Sequence, residues 1–261
     1  MLIIDQLSYS SGMRRWNAEW KTVFALLTLV ICIATRSVVT GMMTLAVMGT
    51  LTIRVGGVSF SRYTRLMAIP LGFLLVSVLV VLFSLSPQPL SAVALPVGNW
   101  FITASPSSFL RAAQLFWTAL AGVSCLYFLS LSTPITDLLL VLRRAHCPEL
   151  MLELMLLIYR YVFVLLEVAA GIAIAQQARL GNRNFTTSCR SAGQLFSVLL
   201  VRAFQRAGKL FDAMESRLYD GSIRVLTQRY PVRGWQIGLA VGVDAALLLV
   251  YAILRMRGIL W

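Results

Sequence analysis

The sequence predicts an all-α polytopic membrane protein with about five transmembrane helices and a cytoplasmic helical domain inserted before the last of them. Hydrophobic residues make up 59% of the 261 residues and charged residues only 13%, and the mean hydropathy is +0.81. A soluble chain of this length could not cover so much apolar side chain with so little charge. In addition, the basic residues are clustered beside the apolar segments, as membrane topology requires.

The positive charge needs its own explanation, because the net charge of +13 would also suit a nucleic-acid-binding protein. Its clustering beside apolar segments favours membrane topology instead, and no nucleic-acid partner is predicted. The segment 176–233 alone holds ten Lys and Arg against three Asp and Glu. No cleavable signal peptide is predicted, because the first twenty residues are polar. The four scattered cysteines are predicted to be isolated thiols.

Residues 1–132 are predicted to form a membrane domain with a cytoplasmic N-terminus and four spans. The basic residues Arg14, Arg15 and Lys21 place the N-terminus in the cytoplasm. Arg36-Ser37 separates the first two apolar segments, which therefore form a tight hairpin. The segment 86–110 contains four prolines and is predicted to be an external loop. The predicted spans are 22–35, 38–53, 66–85 and 112–131.

The cytoplasmic domain, 133–233, is predicted to contain two long helices. Thr133-Pro134 first begins a short helix at the membrane surface, because a hydroxyl residue and then proline favour a helix start. The apolar segment 149–180 could be a further span. However, Glu153, Arg160 and Glu167 are spaced by seven residues along one stripe, and each charge would cost about 2.5–3.5 kcal/mol in mid-membrane. We predict a cytoplasmic or interfacial helix; the alternative is a span whose charged stripe faces other helices.

A turn and a second long helix follow before the final span. In the turn 181–184, glycine and asparagine are predicted to adopt the left-handed backbone. The second helix, 188–218, has a basic side and is predicted to end at Gly221. The last transmembrane helix lies in 234–261, where small residues recur every four positions and predict close packing against another helix. Asp244, within this span, is a functional candidate, although a paired or interface-snorkelling carboxylate is favoured.

Two similar sequence phrases in the basic region predict a docking device. Each has one arginine where a long helix ends, and the two arginines are 38 residues apart. A single arginine there would only stabilise the C-terminal end of the helix dipole. Two in the same setting predict docking, because a guanidinium pairs well with a partner's carboxylate and the neighbours are small or apolar. The predicted docking residues are Ala178, Arg179, Leu180, Ser216, Arg217 and Leu218.

The sequence contains no recognisable catalytic or cofactor chemistry. It has no glycine-rich phosphate-binding loop ending in Lys-Ser or Lys-Thr, and no serine or cysteine in a nucleophile motif. The single histidine, His146, is adjacent to Cys147, and adjacent residues rarely converge on one metal ion. We therefore predict a non-catalytic chain that binds neither a metal nor a nucleotide.

The sequence resembles the transmembrane T subunit of energy-coupling-factor (ECF) transporters, and most closely its cobalt type, CbiQ. In that family two Ala-Arg-Gly-like motifs end two coupling helices, and their arginines dock into grooves of two ATPase subunits. This chain keeps both arginines but has leucine at both third positions and serine in place of the second alanine. The resemblance extends over nearly the whole chain, through Asp5, Tyr9 and Lys21; Ser132-Thr133-Pro134, Asp137-Leu138 and Leu142-Arg143-Arg144; Glu153-Leu154, Tyr159-Arg160-Tyr161 and Phe163-Val164; Arg179-Leu180-Gly181; and Ala213-Met214, Arg217 and Tyr219-Asp220-Gly221.

The resemblance implies a scaffold in the bacterial inner membrane with its coupling domain on the cytoplasmic side. Its implied partners are two ABC ATPases, a membrane substrate-binding (S) subunit, a small accessory membrane subunit and the lipid bilayer. ATP would be bound by the ATPases and Co²⁺ by the S subunit, so that this chain binds no cofactor. The implied function is cobalt uptake for cobalamin biosynthesis. Alternatives are the same role in nickel uptake and a self-sufficient secondary transporter.

Overall fold

The computed structural model describes residues 3–82, 84–86, 94–97, 100–103, 106–220, 223, 230–232 and 234–256. Long helices dominate these residues, which confirms the predicted all-α class. The helices are α1 (Ile3–Ser10), α2 (Ala18–Thr35), α3 (Val38–Thr50), α4 (Phe60–Leu82), α5 (Pro106–Ser132), α6 (Ile135–Arg144), α7 (Glu149–Ala178), α8 (Phe185–Glu215) and α9 (Gly234–Met256). A 3₁₀ turn (Gly12–Arg15) precedes α2, and a π-helical turn (Leu51–Val55) continues α3.

Six of the helical segments in the described part of the chain are long and apolar enough to cross a membrane, by length and composition. They include the four predicted spans of the first domain and the predicted final span, so the multi-pass architecture is confirmed. The sixth is α7, the segment for which the sequence left two placements open. Its position outside the bilayer stays a prediction.

Helix α5 is central to the packing of the membrane helices, because it contacts each of α1 to α4. The contact with α3 is close at Gly41, where an added Cβ atom would lie 3.0 Å from the backbone of Trp117. The α2–α3 connection is the predicted tight hairpin, with Arg36 in the left-handed conformation at a φ of 43°. Phe24, Met48 and Phe128 are buried together in the core of this helical assembly.

The predicted external loop and the last two residues of the predicted span 66–85 contribute to a small sheet that the sequence did not predict. Strands β1 (Ser84–Ser86), β2 (Ala94–Val97) and β3 (Trp100–Thr103) pair antiparallel in the order β1-β3-β2. Helix α5 then begins at Pro106, six residues before the predicted start at 112. Proline suits the first position of a helix because its missing N–H would have no partner there.

The chain divides into two compact units. One consists of Leu2–Leu138 and Gln228–Trp261, here called the membrane unit, and the other of Leu139–Thr227, here called the helical-pair unit. The helical-pair unit contains α7, α8 and most of α6. It therefore carries both arginine phrases.

Candidate functional site

The first arginine phrase lies at the C-terminal end of α7. The helix ends at Ala178, and Arg179 follows as the capping residue. Leu180 then adopts the left-handed conformation, with a φ of 59°. The backbone N–H of Gly181 donates to the carbonyl of Gln176 at 2.8 Å. This hydrogen bond, directed five residues back and following a left-handed residue, defines a Schellman motif.

The second arginine phrase ends α8 with the same backbone geometry. Leu218 is the left-handed residue, with a φ of 58°. The backbone N–H of Tyr219 donates to the carbonyl of Met214 at 3.1 Å. Arg217 directly precedes the left-handed residue, as Arg179 does in the first phrase. The two phrases therefore match residue by residue. We refer to 178–180 as the first arginine motif and to 216–218 as the second.

In the first motif, the left-handed residue is not one of those predicted. It is Leu180, whereas glycine and asparagine in 181–184 were predicted; Gly221 lies outside the described residues. Gly181 instead allows a close contact, because a Cβ atom there would lie 2.8 Å from Ser191 Oγ and 2.9 Å from the Gln176 carbonyl oxygen. The sequence rule that assigns left-handed backbone to glycine was thus misleading here.

Both motifs expose their side chains. Leu180 is 70% and Leu218 is 90% exposed, and both arginines are exposed as well. A left-handed conformation costs a non-glycine residue about 1–2 kcal/mol. Such strain at exposed apolar side chains is typical of functional sites. Within the described residues, neither guanidinium has a hydrogen bond or salt bridge, so both are available to a partner.

We expect Leu218→Gly to raise the free energy of unfolding by about 0.5–1 kcal/mol, because glycine adopts the left-handed backbone without steric cost. Thermal unfolding in detergent measures this change. The matched control is Leu200→Gly in the middle of α8, where the same substitution should destabilise the chain by about 1 kcal/mol. Destabilisation of equal size at both positions would contradict the assigned strain.

Side chains from the opposite helix hold each motif in place. At the first motif, Ser191 Oγ of α8 donates to the Gly181 carbonyl at 2.9 Å, and Gln176 Nε2 donates to the Ser191 carbonyl at 2.9 Å. At the second motif, the Tyr219 hydroxyl donates to Glu153 Oε2 of α7 at 2.6 Å. This hydrogen bond to a carboxylate raises the pKa of the Tyr219 hydroxyl. Each helix thus contributes to holding the end of the other.

These contacts also establish the geometry of the helix pair. The beginning of α7 lies beside the end of α8, and the end of α7 lies beside the beginning of α8, so the helices run antiparallel. From Ser191 to Ser216, α8 advances about 38 Å at 1.5 Å per residue. The arginine motifs are therefore at opposite ends of the pair, at a distance of this order.

The three charges of the predicted stripe on α7 differ in their exposure to solvent. Arg160 and Glu167 are exposed, whereas Glu153 is only 7% exposed and accepts two hydrogen bonds. Sequence reasoning missed the role of Glu153. Its spacing from Arg160 and Glu167 was visible, but no spacing rule connects it to Tyr219, 66 residues later.

A third helix end in this unit has the same backbone motif without the arginine. His146 is left-handed with a φ of 61°, and the N–H of Cys147 donates to the Leu142 carbonyl at 3.1 Å. Ala145 occupies the place that an arginine has in the other two motifs. His146 is exposed, and among the described residues no group of three or more His, Cys, Asp or Glu side chains could hold a metal ion.

In the membrane unit, Asp244 has a hydrogen-bonding partner, so of the two arrangements that the sequence favoured, paired or interface-snorkelling, the structure has the paired one. It is buried, and its Oδ1 atom lies 2.8 Å from Thr28 Oγ1, so the contact connects α9 to α2. Among the residues that the structure describes, the predicted small-residue face of α9 has no close neighbour at Gly238 or Gly242, where an added Cβ atom would meet nothing within 4 Å. Both glycines line an apolar cavity of about 280 Å³ beside Met43.

Lys21, whose charge contributed to the predicted topology, is buried, with 2% of its surface exposed. Its Nζ atom donates to the carbonyls of Met13 at 3.1 Å and Ser132 at 2.7 Å. These bonds connect the 3₁₀ turn to the end of α5. Burial raises the pKa of the nearby Asp137 carboxyl, and the Lys21 ammonium opposes this shift. Lys21 therefore has a structural role that the charge pattern alone did not indicate.

Comparison with known proteins places the chain in a family. The family described as "CbiQ: Cobalt transport protein" matches residues 10–228. The chain belongs to this family. The CbiQ cobalt transport protein of Salmonella typhimurium is 31% identical over 85% of this chain and 99% of its own length. The match confirms the resemblance inferred from the sequence.

Two further relatives extend the comparison. A putative fused cobalt transport protein, CbiMQ, of Methanocorpusculum labreanum is 31% identical over 84% of this chain and 37% of its own length. The energy-coupling factor transporter transmembrane protein EcfT of Lactococcus lactis is 32% identical over 47% of this chain and 50% of its own length. The chain is accordingly a membrane component of cobalt transport, and these three relatives are named as transport proteins.

Proposed function

We propose that this CbiQ-family chain is the transmembrane coupling scaffold of an ECF-type importer that takes up Co²⁺ for cobalamin biosynthesis. Its two arginine motifs would each dock into one of two cytoplasmic ABC ATPases. Movement of the ATPases would pass through α7 and α8 to a membrane subunit that binds the substrate. ATP and Co²⁺ would be bound by those partners and not by this chain.

The observation that carries this proposal is the matched geometry of the two motifs. Both present one exposed arginine and one strained, exposed leucine at a helix end. Two identical partner surfaces would need two matching inserts, and a separation of about 38 Å allows one partner at each. A guanidinium suits a groove lined by carboxylates, because it forms two parallel hydrogen bonds with one carboxylate.

The proposal is tested by co-expressing the tagged chain with its cognate ABC ATPase and candidate S subunit. We expect the ATPase to co-purify with the chain in detergent, and cells that express all subunits to accumulate radioactive Co²⁺. The chain reconstituted alone in liposomes should give no Co²⁺ flux. Flux through the chain alone would overturn the scaffold function in favour of a self-sufficient transporter.

The cytoplasmic placement of the helical-pair unit gives a separate prediction. Asn182→Cys in the α7–α8 turn, in a Cys147→Ser/Cys189→Ser background, should react with a membrane-impermeant maleimide only after the cells are opened. The background is needed because Cys189 is exposed and Cys147 is half-buried. Labelling of intact cells would place this turn outside and make α7 a transmembrane helix.

A further inference from the structure

The buried carboxylate of Glu153 fixes the segment that follows Arg217. Its Oε2 atom accepts a hydrogen bond from the Tyr219 hydroxyl at 2.6 Å, and its Oε1 atom accepts one from the backbone N–H of Ile223 at 2.7 Å. Tyr219 is two residues beyond Arg217. Charge-assisted hydrogen bonds of this kind are about twice as strong as neutral ones. One side chain thus holds two points in the chain immediately after the second arginine motif.

The position of Glu153 along α7 gives this contact its significance. Glu153 is in the second turn of a helix that begins at Glu149 and ends at Ala178. The first motif continues directly from the C-terminal end of the same helix, whereas the second motif contacts its N-terminal end through Glu153. Both motifs are therefore attached to α7, at opposite ends of a helix about 45 Å long.

The exposure of the other charges on this helix shows that burial of Glu153 is specific. Glu167 lies on the same stripe, two intervals of seven residues further on, and is exposed, as is Arg160 between them. Burying a carboxylate is costly unless its oxygens receive hydrogen bonds. The energetic cost at Glu153 is offset by the donors Tyr219 and Ile223, and both belong to the segment that follows the second motif.

We infer that Glu153 is a positioning residue for Arg217, through which the second motif acts on the beginning of α7. This inference rests on the proposed function, because positioning matters only if Arg217 docks. Movement of one ATPase would reach α7 directly at its C-terminal end, through Arg179. Movement of the other would reach its N-terminal end through Arg217, Tyr219 and Glu153.

The inference is tested with Glu153→Ala and Tyr219→Phe, with Glu167→Ala as the matched control on the same helix face. We expect Glu153→Ala to weaken ATPase co-purification and Co²⁺ uptake about tenfold, which corresponds to the loss of hydrogen bonds to a charged group. Tyr219→Phe removes one hydroxyl and should give a smaller loss. Glu153→Gln should retain function, because an amide can accept from the Ile223 N–H and donate to the Tyr219 oxygen.

Combination with the arginine variants separates positioning from general destabilisation. Glu153→Ala should add no loss to Arg217→Ala, because the second motif is already inactive in that variant. On the Arg179→Ala background it should add its full loss of about tenfold, in the direction of the Arg179→Ala/Arg217→Ala double variant. A residue that merely stabilised the fold would add a similar loss on both backgrounds.

The outcomes distinguish this inference from the proposed function. If the unmodified chain fails to bind the ATPase, or if both arginines are dispensable, the proposed function fails. If the arginines are required but Glu153→Ala matches Glu167→Ala, or adds equally to both arginine variants, the positioning role is overturned and docking stands. If Glu153→Ala cannot be purified, Tyr219→Phe is combined with each arginine variant instead. A loss added only on the Arg179→Ala background supports positioning, and an equal loss on both backgrounds overturns it.

Discussion

Arg179→Ala combined with Arg217→Ala is expected to abolish both ATPase co-purification and Co²⁺ uptake, while the membrane unit still inserts and folds. Each substitution removes an exposed guanidinium that has no partner within the described residues, so the fold loses no assigned contact. At a partner surface each would remove a charge-assisted pair in a desolvated groove, a loss of about 2–5 kcal/mol. Affinity purification and radioactive Co²⁺ uptake measure the two effects.

The single variants and a nearby arginine provide the controls. Each single variant should retain part of the ATPase, because the other motif still docks, and the double variant should lose more than either. Arg183→Ala removes an exposed arginine from the α7–α8 turn, four residues after Arg179, and should behave as the unmodified chain. Full binding and uptake by the double variant would contradict docking through these arginines.

Lys21→Met is expected to lower the free energy of unfolding by about 2–3 kcal/mol, because the buried carbonyls of Met13 and Ser132 lose their charged donor. Methionine approximates the volume of the lysine stem, so the loss reports on hydrogen bonds and not on a cavity. Removing the buried charge relieves some desolvation. The Ser132 carbonyl loses its donor and the Met13 carbonyl keeps only the Trp16 N–H, and these losses outweigh that gain. Thermal unfolding in detergent measures the change.

Arg15→Met provides the comparison for Lys21→Met. Arg15 is exposed, lies in the adjacent 3₁₀ turn and carries the same charge, so its replacement should change stability by less than about 0.5 kcal/mol. Equal effects of the two substitutions would mean that Lys21 acts only as a topological charge, as the sequence pattern suggested, and not as a connection between the 3₁₀ turn and α5.

The features that follow from local sequence were predictable. Hydropathy and charge located α2, α3, α4, α5 and α9, because a bilayer imposes length and polarity on each span independently of its neighbours. Thr133-Pro134 correctly predicted the beginning of α6, at Ile135. The positions of both arginines near helix ends were also predicted, since helix-favouring residues stop there. Local rules are sufficient to predict a helix where contact with water or with the bilayer determines which residue types occur along it.

Features that depend on contacts between distant residues were not predictable. Leu180 and Leu218 adopt a backbone that local rules assign to glycine, and the space that Gly181 leaves for Ser191 is visible only after α7 and α8 pack together. In the sequence, Glu153 is one of three similar charges on α7. Only the fold brings Tyr219, 66 residues later, within hydrogen-bonding distance of it. The sheet pairing of Leu95 with Ile102 likewise depends on register, which alternating hydrophobicity sets only weakly in short strands.

The antiparallel arrangement of α7 and α8 has a consequence for symmetry. Two antiparallel helices are related by an approximate two-fold axis that crosses between them, and this rotation exchanges the C-terminal end of one with that of the other. A homodimer presents two equivalent grooves around its own two-fold axis. A single asymmetric chain can bind both grooves in the same manner only if its two inserts are also related by an approximate two-fold rotation. Under the proposed function, the residue-by-residue match between the arginine motifs would make this chain an adaptor between a symmetric pair of ATPases and an asymmetric membrane assembly.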